Sequence, residues 1–259
     1  MKLTILGSGT YQPELERHGS AFLIETTKSK ICFDFGRGAI EQLLKIGVHV
    51  NQIDAVFISH WHGDHVADLI PLLQITISPP YNYGHGHSPE RTKPLKISGP
   101  VETLDEIKRL VKVIHENEEL NHLEIKELKD GDNIDLSDCQ IKAYVSKHND
   151  NLTPMCYRLE AEGKIFAYSG DSVESDGLRK AIKNADVAVV EASWPAEVKP
   201  RTHLTGDRAG KIAKENGVKK LIITHMSPLY MKEFDPKKET EEAFSKEVIV
   251  AKDLMAIEI

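Results

Sequence analysis

Cysteine is scarce in this sequence of 259 residues: Cys32, Cys139 and Cys156 are odd in number, far apart and never in a Cys-x-x-Cys pair. That excludes a disulfide framework or a cysteine zinc site and leaves buried free thiols as the expectation. Long apolar runs are missing as well. None approaches the ~18 residues that a membrane span requires. The opening Met1-Lys2-Leu3-Thr4-Ile5-Leu6-Gly7 alternates like a strand and lacks the apolar core of a secretory signal, so a cytoplasmic protein with no membrane partner is expected. Positive charge is also in deficit, with Lys+Arg 33 against Asp+Glu 40 and a net charge of −7. Such a surface does not attract nucleic acid as a whole, so a phosphate-bearing substrate would depend on a local basic patch. Linker-like tracts and internal repeats are absent, which favours a single domain over residues 1–259, long enough for a large core.

What is present is a series of short β-rich runs with helical patterns between them. Strands are expected near Leu3–Leu6, Ala21–Glu25, Ile31–Phe35, Ala55–Ser59, Leu95–Ser98, Ile141–Ser146, Met155–Leu159, Ile165–Ser169, Val187–Glu191, Leu221–Thr224, Val248–Ala251 and within Met255–Ile259. The clearest helices are Arg37–Ile46 stopped by Gly47, Val101–Glu116 with Leu104, Ile107, Val111 and Ile114 on one face, and Asp207–Asn216 stopped by Gly217. Ser78–Pro94, with Pro79-Pro80, Tyr81, Tyr83 and the Gly84-His85-Gly86-His87 run, reads as an irregular loop. Its tyrosines could line a substrate entrance or the contact of a homodimer. His85 and His87 have no carboxylate or cysteine nearby and are read as solvated. His18, His49, His115 and His122 have no supporting constellation and are expected at the surface. The pattern is layered α/β.

The densest chemistry is Ser59-His60-Trp61-His62-Gly63-Asp64-His65, directly after the apolar run Ala55–Ile58. Imidazole nitrogens and a carboxylate are what a borderline Lewis acid such as Zn²⁺ binds, and four such groups in six positions at a strand end would converge on one small volume. His148, Asp171 and His225 each follow another expected strand. Groups beyond the carboxyl ends of strands in α/β sheets collect at one site, so these distant residues become candidates for the same centre. Ser59 and Ser172 are read as turn or hydrogen-bonding residues, because a metal centre needs no side-chain nucleophile.

The ordered set His60-x-His62-x-Asp64-His65, His148, Asp171 and His225 resembles the metal ligands of the metallo-β-lactamase superfamily. Four further segments resemble ribonuclease Z and its relatives: Leu6-Gly7-Ser8-Gly9-Thr10 with Pro13 and Arg17; Glu191-Ala192-Ser193-Trp194, beside their His-Glu-Ala-Thr segment; His203-Leu204-Thr205, beside their His-Ser-Thr segment; and Thr224-His225-Met226-Ser227-Pro228-Leu229-Tyr230. Val250–Met255 resembles their terminal strand pair. The resemblance implies an αββα sandwich of two mixed sheets flanked by helices. It also implies two divalent ions, zinc first with manganese or iron as alternatives. One would be held by His60, His62 and His148, the other by Asp64, His65 and His225, with Asp171 shared. A hydroxide between the ions would be the nucleophile. Asp64, His203 and Glu191 would take part in the chemistry, His203 as charge stabiliser or general acid and Glu191 as its hydrogen-bond partner. The implied activity is phosphodiester hydrolysis on a small or short nucleic-acid substrate, the alternatives being tRNA 3′-end cleavage or hydrolysis of a lactone or thioester.

Two departures from the family pattern matter. The Gly- and Pro-rich arm that tRNA-processing members carry between the third ligand and the bridging Asp is missing, since only residues 149–170 fill the interval, enough for a hairpin. Val190 also stands where the family's His-Glu-Ala-Thr segment has its His.

Overall fold

Alternating apolar residues sort the strand side chains onto two faces, and both faces are used. The computed structural model describes residues 1–77, 91–114, 120, 122–149 and 151–259. The strands are β1 Lys2–Gly7, β2 Ala21–Glu25, β3 Lys30–Phe33, β4 Ala55–Phe57, β5 Leu95–Gly99, β6 Leu123–Glu127, β7 Asn133–Asp135, β8 Gln140–Val145, β9 Met155–Ala161, β10 Lys164–Tyr168, β11 Val187–Glu191, β12 Lys220–Thr224, β13 Val248–Val250 and β14 Ala256–Glu258. Among the described residues they form two seven-stranded sheets, in the orders β14-β1-β2-β3-β4-β5-β6 and β13-β12-β11-β10-β9-β8-β7. Leu3, Phe22, Phe33 and Phe57 of the first sheet meet Ile141, Tyr157, Phe166 and Val189 of the second in one central core.

The opposite faces carry the helices. Leu23, Cys32, Val56 and Ile97 pack against α1 Ala39–Lys45, α3 Leu69–Ile77 and α4 Thr103–Ile114. Ala188, Val190, Leu221 and Ile223 pack against α5 Asp176–Ile182, α6 Gly206–Glu215 and α8 Pro236–Phe244. Two short helices, α2 Gly63–Val66 and α7 Pro228–Glu233, sit in the loops after β4 and β12. The expected αββα sandwich is therefore the observed architecture.

The direction of the strands decides where function can sit. β3 to β6 are parallel in the first sheet, β10 to β13 are parallel in the second, and β8 runs with β10 because both are antiparallel to β9. The loops leaving β4, β8, β10, β11 and β12 thus emerge along one edge, where Met155 N–H donates to Ser59 O at 2.8 Å and Tyr157 O–H to Ile58 O at 2.6 Å across the sheets.

Most expected elements appear within two or three residues of their expected bounds. β6 and β7 were not anticipated: Leu123-Glu124-Ile125-Lys126-Glu127 and Asn133-Ile134-Asp135 are short, charged edge segments. The expected strand Ile31–Phe35 stops at Phe33, because Asp34 takes a left-handed φ of +56° and turns the chain inward. Interval 149–170 does hold a hairpin, β9 to β10. Tyr81, Tyr83, His85 and His87 of loop Ser78–Pro94, and His115, lie outside the described residues.

Candidate metal centre

Each candidate ligand is delivered by a strand end. His60, His62, Asp64 and His65 follow β4, with the last two on α2; His148 follows β8, Asp171 follows β10 and His225 follows β12. Gly170 makes the approach of Asp171 possible. Its φ is +54°, and a Cβ there would stand 2.6 Å from Ser59 Cβ, so a side chain would collide with the neighbouring loop.

Ligand atoms of His60, His62, His148 and Asp171 lie within 4.8 Å of one another, as do those of Asp64, His65 and His225. Asp171 faces both groups. Its Oδ2 is 3.7 Å from His60 Nε2 and 3.8 Å from His148 Nε2, while Oδ1 is 3.2 Å from His65 Nε2 and 3.4 Å from His225 Nε2. His225 Nε2 is also 3.1 Å from Asp64 Oδ2, and His62 Nδ1 is 2.9 Å from His60 Nε2.

The far side of each ring shows which nitrogen is committed to the centre. Buried Asp34 accepts Ser59 N–H at 2.6 Å, Ser59 O–H at 2.8 Å, His65 Nδ1–H at 2.7 Å and Tyr168 O–H at 2.5 Å. Having donated to Asp34, Ser59 Oγ accepts from His60 Nδ1 at 3.0 Å. His148 Nδ1 donates to Thr202 O at 2.6 Å. Ser193 O–H donates to Glu191 Oε2 at 2.6 Å and accepts from His225 Nδ1 at 3.1 Å. In this network four imidazoles spend Nδ1–H on the protein and turn the Nε2 lone pair toward Asp171, the tautomer a metal ligand needs.

The electrostatics favour positive charge among these carboxylates, carried by a proton on His65 or by a metal ion that displaces it. Burial works against a charge on His65, but Asp171 and Asp34 outweigh it and hold its pKa well above the usual histidine range. Burial, together with His65, pushes His60 well below that range. Burial opposes ionisation of Asp171, yet His225 and His65 hold its carboxyl well below the usual range. A buried anion ringed by imidazoles fits a cation at the centre. His65 Nε2 and Asp171 Oδ1 are buried and face each other at 3.2 Å without a well-aligned hydrogen bond, a spacing that two ligands of one ion can share. A divalent ion between them would satisfy both atoms.

A cavity of about 710 Å³ opens over the centre and is lined by His62, Asp64, His148, Asp171, His203 and His225, with Tyr11 and Arg37 on the N-terminal side. His203 stands just before α6, its Nδ1 at 3.1 and 3.2 Å from the two Glu191 oxygens. Burial would lower its pKa, but the Glu191 carboxylate and then Asp171 raise it to about 9. His203 also lies within ligand range of Asp171 and His225. Glu191 is wholly buried and accepts Ser172 N–H as well, at 2.6 Å.

Matched over residues 30–226 is the family model for the beta-lactamase superfamily domain. The chain belongs to the beta-lactamase superfamily. It is a hydrolase of that superfamily, with a His/Asp cluster suited to divalent metal. Ribonuclease Z of Archaeoglobus fulgidus is 25% identical over 311 aligned positions covering 100% of this chain and 97% of the relative. Ribonuclease Z of Mycolicibacterium gilvum is 26% identical, covering 100% and 96%. Both alignments, the second of 282 positions, exceed the 259 residues here, so the relatives carry segments with no counterpart in this chain. Human tRNase Z, short form, superposes with a TM-score of 0.76 at 26% identity over 100% of this chain and 99% of the other. The metallo-beta-lactamase fold protein YhfI of Bacillus subtilis superposes with 0.81 at 23% identity over 99% and 98%, a likeness of fold.

The structure brings His60, His62, Asp64, His65, His148, Asp171 and His225 together, with His203 and Glu191 beside them, and the three cysteines are free and buried. His18 is a correction. Expected at the surface, it is 16% exposed and holds Asp253 Oδ2 at 2.7 Å through Nδ1. His49 is half-buried and accepts Asn51 N–H, while His122 is exposed as expected. Asp34 was missed altogether. The available signal was a lone carboxylate between Phe33 and Phe35 at the end of an apolar strand, since a buried acid must find donors.

Proposed function

We propose that this superfamily member is a dinuclear metal-dependent phosphodiesterase acting as one domain on small or short nucleic-acid-like phosphodiesters. The observation that carries the reading is the set of four imidazole Nε2 atoms converging on Asp171 beside a His203 paired with Glu191. His60, His62 and His148 would hold one divalent ion and Asp64, His65 and His225 the other, with Asp171 shared, zinc being the first choice and manganese or iron the alternatives. When bound, such ions supply Lewis acidity that makes water nucleophilic at neutral pH and offsets phosphoryl charge.

The remaining steps belong to the chain. Asp171 fixes the two groups of ligands at one spacing, and the walls of the cavity limit how a substrate can lie over them. His203 shares Nδ1–H with Glu191. Among the described residues its Nε2 has no hydrogen-bond partner, so in the charged ring Nε2–H is free to stabilise an anionic oxygen or to protonate the leaving alkoxide. The Glu191 carboxylate, 3.1 Å from Nδ1, favours that charged form.

A second reading, tRNA 3′-end cleavage, is favoured by the name ribonuclease Z on relatives matched along their whole length. Against it stands the short β9–β10 hairpin where tRNA-processing members are expected to carry their arm. The deciding experiment is a panel of bis-p-nitrophenyl phosphate, a cyclic nucleotide, a precursor tRNA, a lactone and nitrocefin, each with and without chelator. Chelator-sensitive turnover of the first two is expected. Turnover of precursor tRNA alone would favour the second reading, and turnover of lactone or nitrocefin alone would overturn both.

A further inference from the structure

The turn that carries His225 is held from behind by groups that never face the cavity. His225 has φ +58°, a left-handed conformation that costs a non-glycine residue and persists only when its surroundings enforce it. Its N–H donates to Ser8 O at 3.3 Å, and Thr224 Oγ1–H donates to the same oxygen at 3.4 Å. Arg17 joins them there with Nη2 at 2.5 Å, keeps Nε 3.3 Å from Ser8 Oγ, and spans with Nη1 to Met226 O at 3.4 Å. One guanidinium thus grips the carbonyl that anchors His225 and the carbonyl of the next residue.

Ser8 is anchored in turn. Its N–H and O–H donate to Asp253 Oδ1 at 2.9 and 2.8 Å, and Asp253 Oδ2 accepts His18 N–H at 2.8 Å, His18 Nδ1–H at 2.7 Å and Gln42 Nε2–H at 3.2 Å. The Arg17 side chain is 11% exposed and that of Asp253 8%. Gly9 lets the two loops close on each other: a Cβ there would meet His18 O at 2.9 Å and Arg17 O at 3.0 Å. Among the described residues neither Arg17 nor Asp253 bonds to His60, His62 or His148.

We propose that Arg17 and Asp253 are positioning residues for the metal position served by Asp64, His65 and His225, and that they set its affinity separately from that of the position served by His60, His62 and His148. The inference rests on the two-metal reading above. A planar guanidinium reaches two carbonyls at once, which a methionine of similar length cannot do. Without that grip the left-handed turn relaxes, and His225 Nε2 leaves the spacing it shares with Asp64 and Asp171.

The test measures Zn²⁺ affinity by chelator competition in two backgrounds that each leave one position intact. In the His62→Ala background, Arg17→Met and Asp253→Asn are each expected to weaken the remaining ion about 10- to 100-fold, the usual effect of removing a group that orients a ligand. In the Asp64→Ala background the same changes are expected to leave affinity unchanged. Arg17→Lys, able to reach one carbonyl at a time, should fall between. If Arg17→Met does not fold, Ser8→Ala serves instead, with a smaller loss confined to the first background. Equal loss in both backgrounds, or lowered thermal stability with both affinities intact, would overturn the inference while leaving the two-metal reading standing. Failure of the unaltered protein to bind two ions would overturn both.

Discussion

His60, His62, Asp64 and His65 reach the centre from one loop and its short helix, whereas His148, Asp171 and His225 arrive from three strands of the other sheet. The first set keeps its spacing through local backbone geometry. The second depends on register across β8, β9, β10, β11 and β12, where a shift of one residue would turn every side chain to the opposite face. The contiguous set is supported by one deep carboxylate, Asp34. Supports of the dispersed set come from elsewhere in the chain: Thr202 for His148, Ser193 and Ser8 for His225. A site assembled in this way is specified locally on one side and globally on the other.

The largest way to break this contrast is Asp171→Ala. Asp171 faces both groups, so its loss should empty both metal positions and take activity below detection, whereas His62→Ala should cost one ion. Metal analysis of the purified variants decides the matter, and an Asp171→Ala protein with two ions would show that the other six ligands suffice without it. His203→Ala comes next. It should keep both ions and lose turnover of an unactivated phosphodiester by about 10²–10⁴-fold. The loss should be smaller with a p-nitrophenolate leaving group if proton donation dominates, and similar on both substrates if charge stabilisation does.

Asp34→Asn sharpens the comparison from the local side. An amide oxygen in place of Oδ2 can still accept His65 Nδ1–H, but it carries no full charge and its NH₂ then faces the Ser59 N–H, so affinity at the position of His65 should fall about 10- to 100-fold with retained fold. An unchanged chelator titration would remove Asp34 from the support of the site.

The smallest effect expected is on the pH dependence of the metal-free protein. The folded pKa of His203 is raised to about 9, above the ~6.5 of an unfolded histidine. Its contribution to stability is therefore complete below about pH 6.5 and is lost as pH rises through about 9. In urea unfolding, wild type and Glu191→Gln should differ more at about pH 6 than at about pH 10. A gap that grows with pH would reverse the assigned role of Glu191.

Legibility of the site in the sequence followed the same division. The motif of residues 60–65 could be read because ligands one or two residues apart need only a strand end to converge. The apolar runs of β10, β11 and β12 were equally plain, since strands buried on both faces spell their burial in consecutive Val, Ile and Ala. Edge strands β6 and β7 were silent, because exposed Glu, Lys and Asn satisfy an edge without marking it. His18 looked like a surface residue because its partner, Asp253, stands 235 positions away.

The amino-acid sequence by itself determined which ligands are available, their order along the chain and the layered α/β class, because residue chemistry and the period of apolar residues are local properties. Only the tertiary structure decided which nitrogen of each imidazole faces the centre and which group holds the other, whereas the sharing of Asp171 and the pairing of His203 with Glu191 were already implied by the family resemblance. Those choices are made by hydrogen-bond partners on the far side of each ring, and such partners exist only once two sheets have brought distant backbone and carboxylate oxygens within 3 Å or so of the same nitrogen.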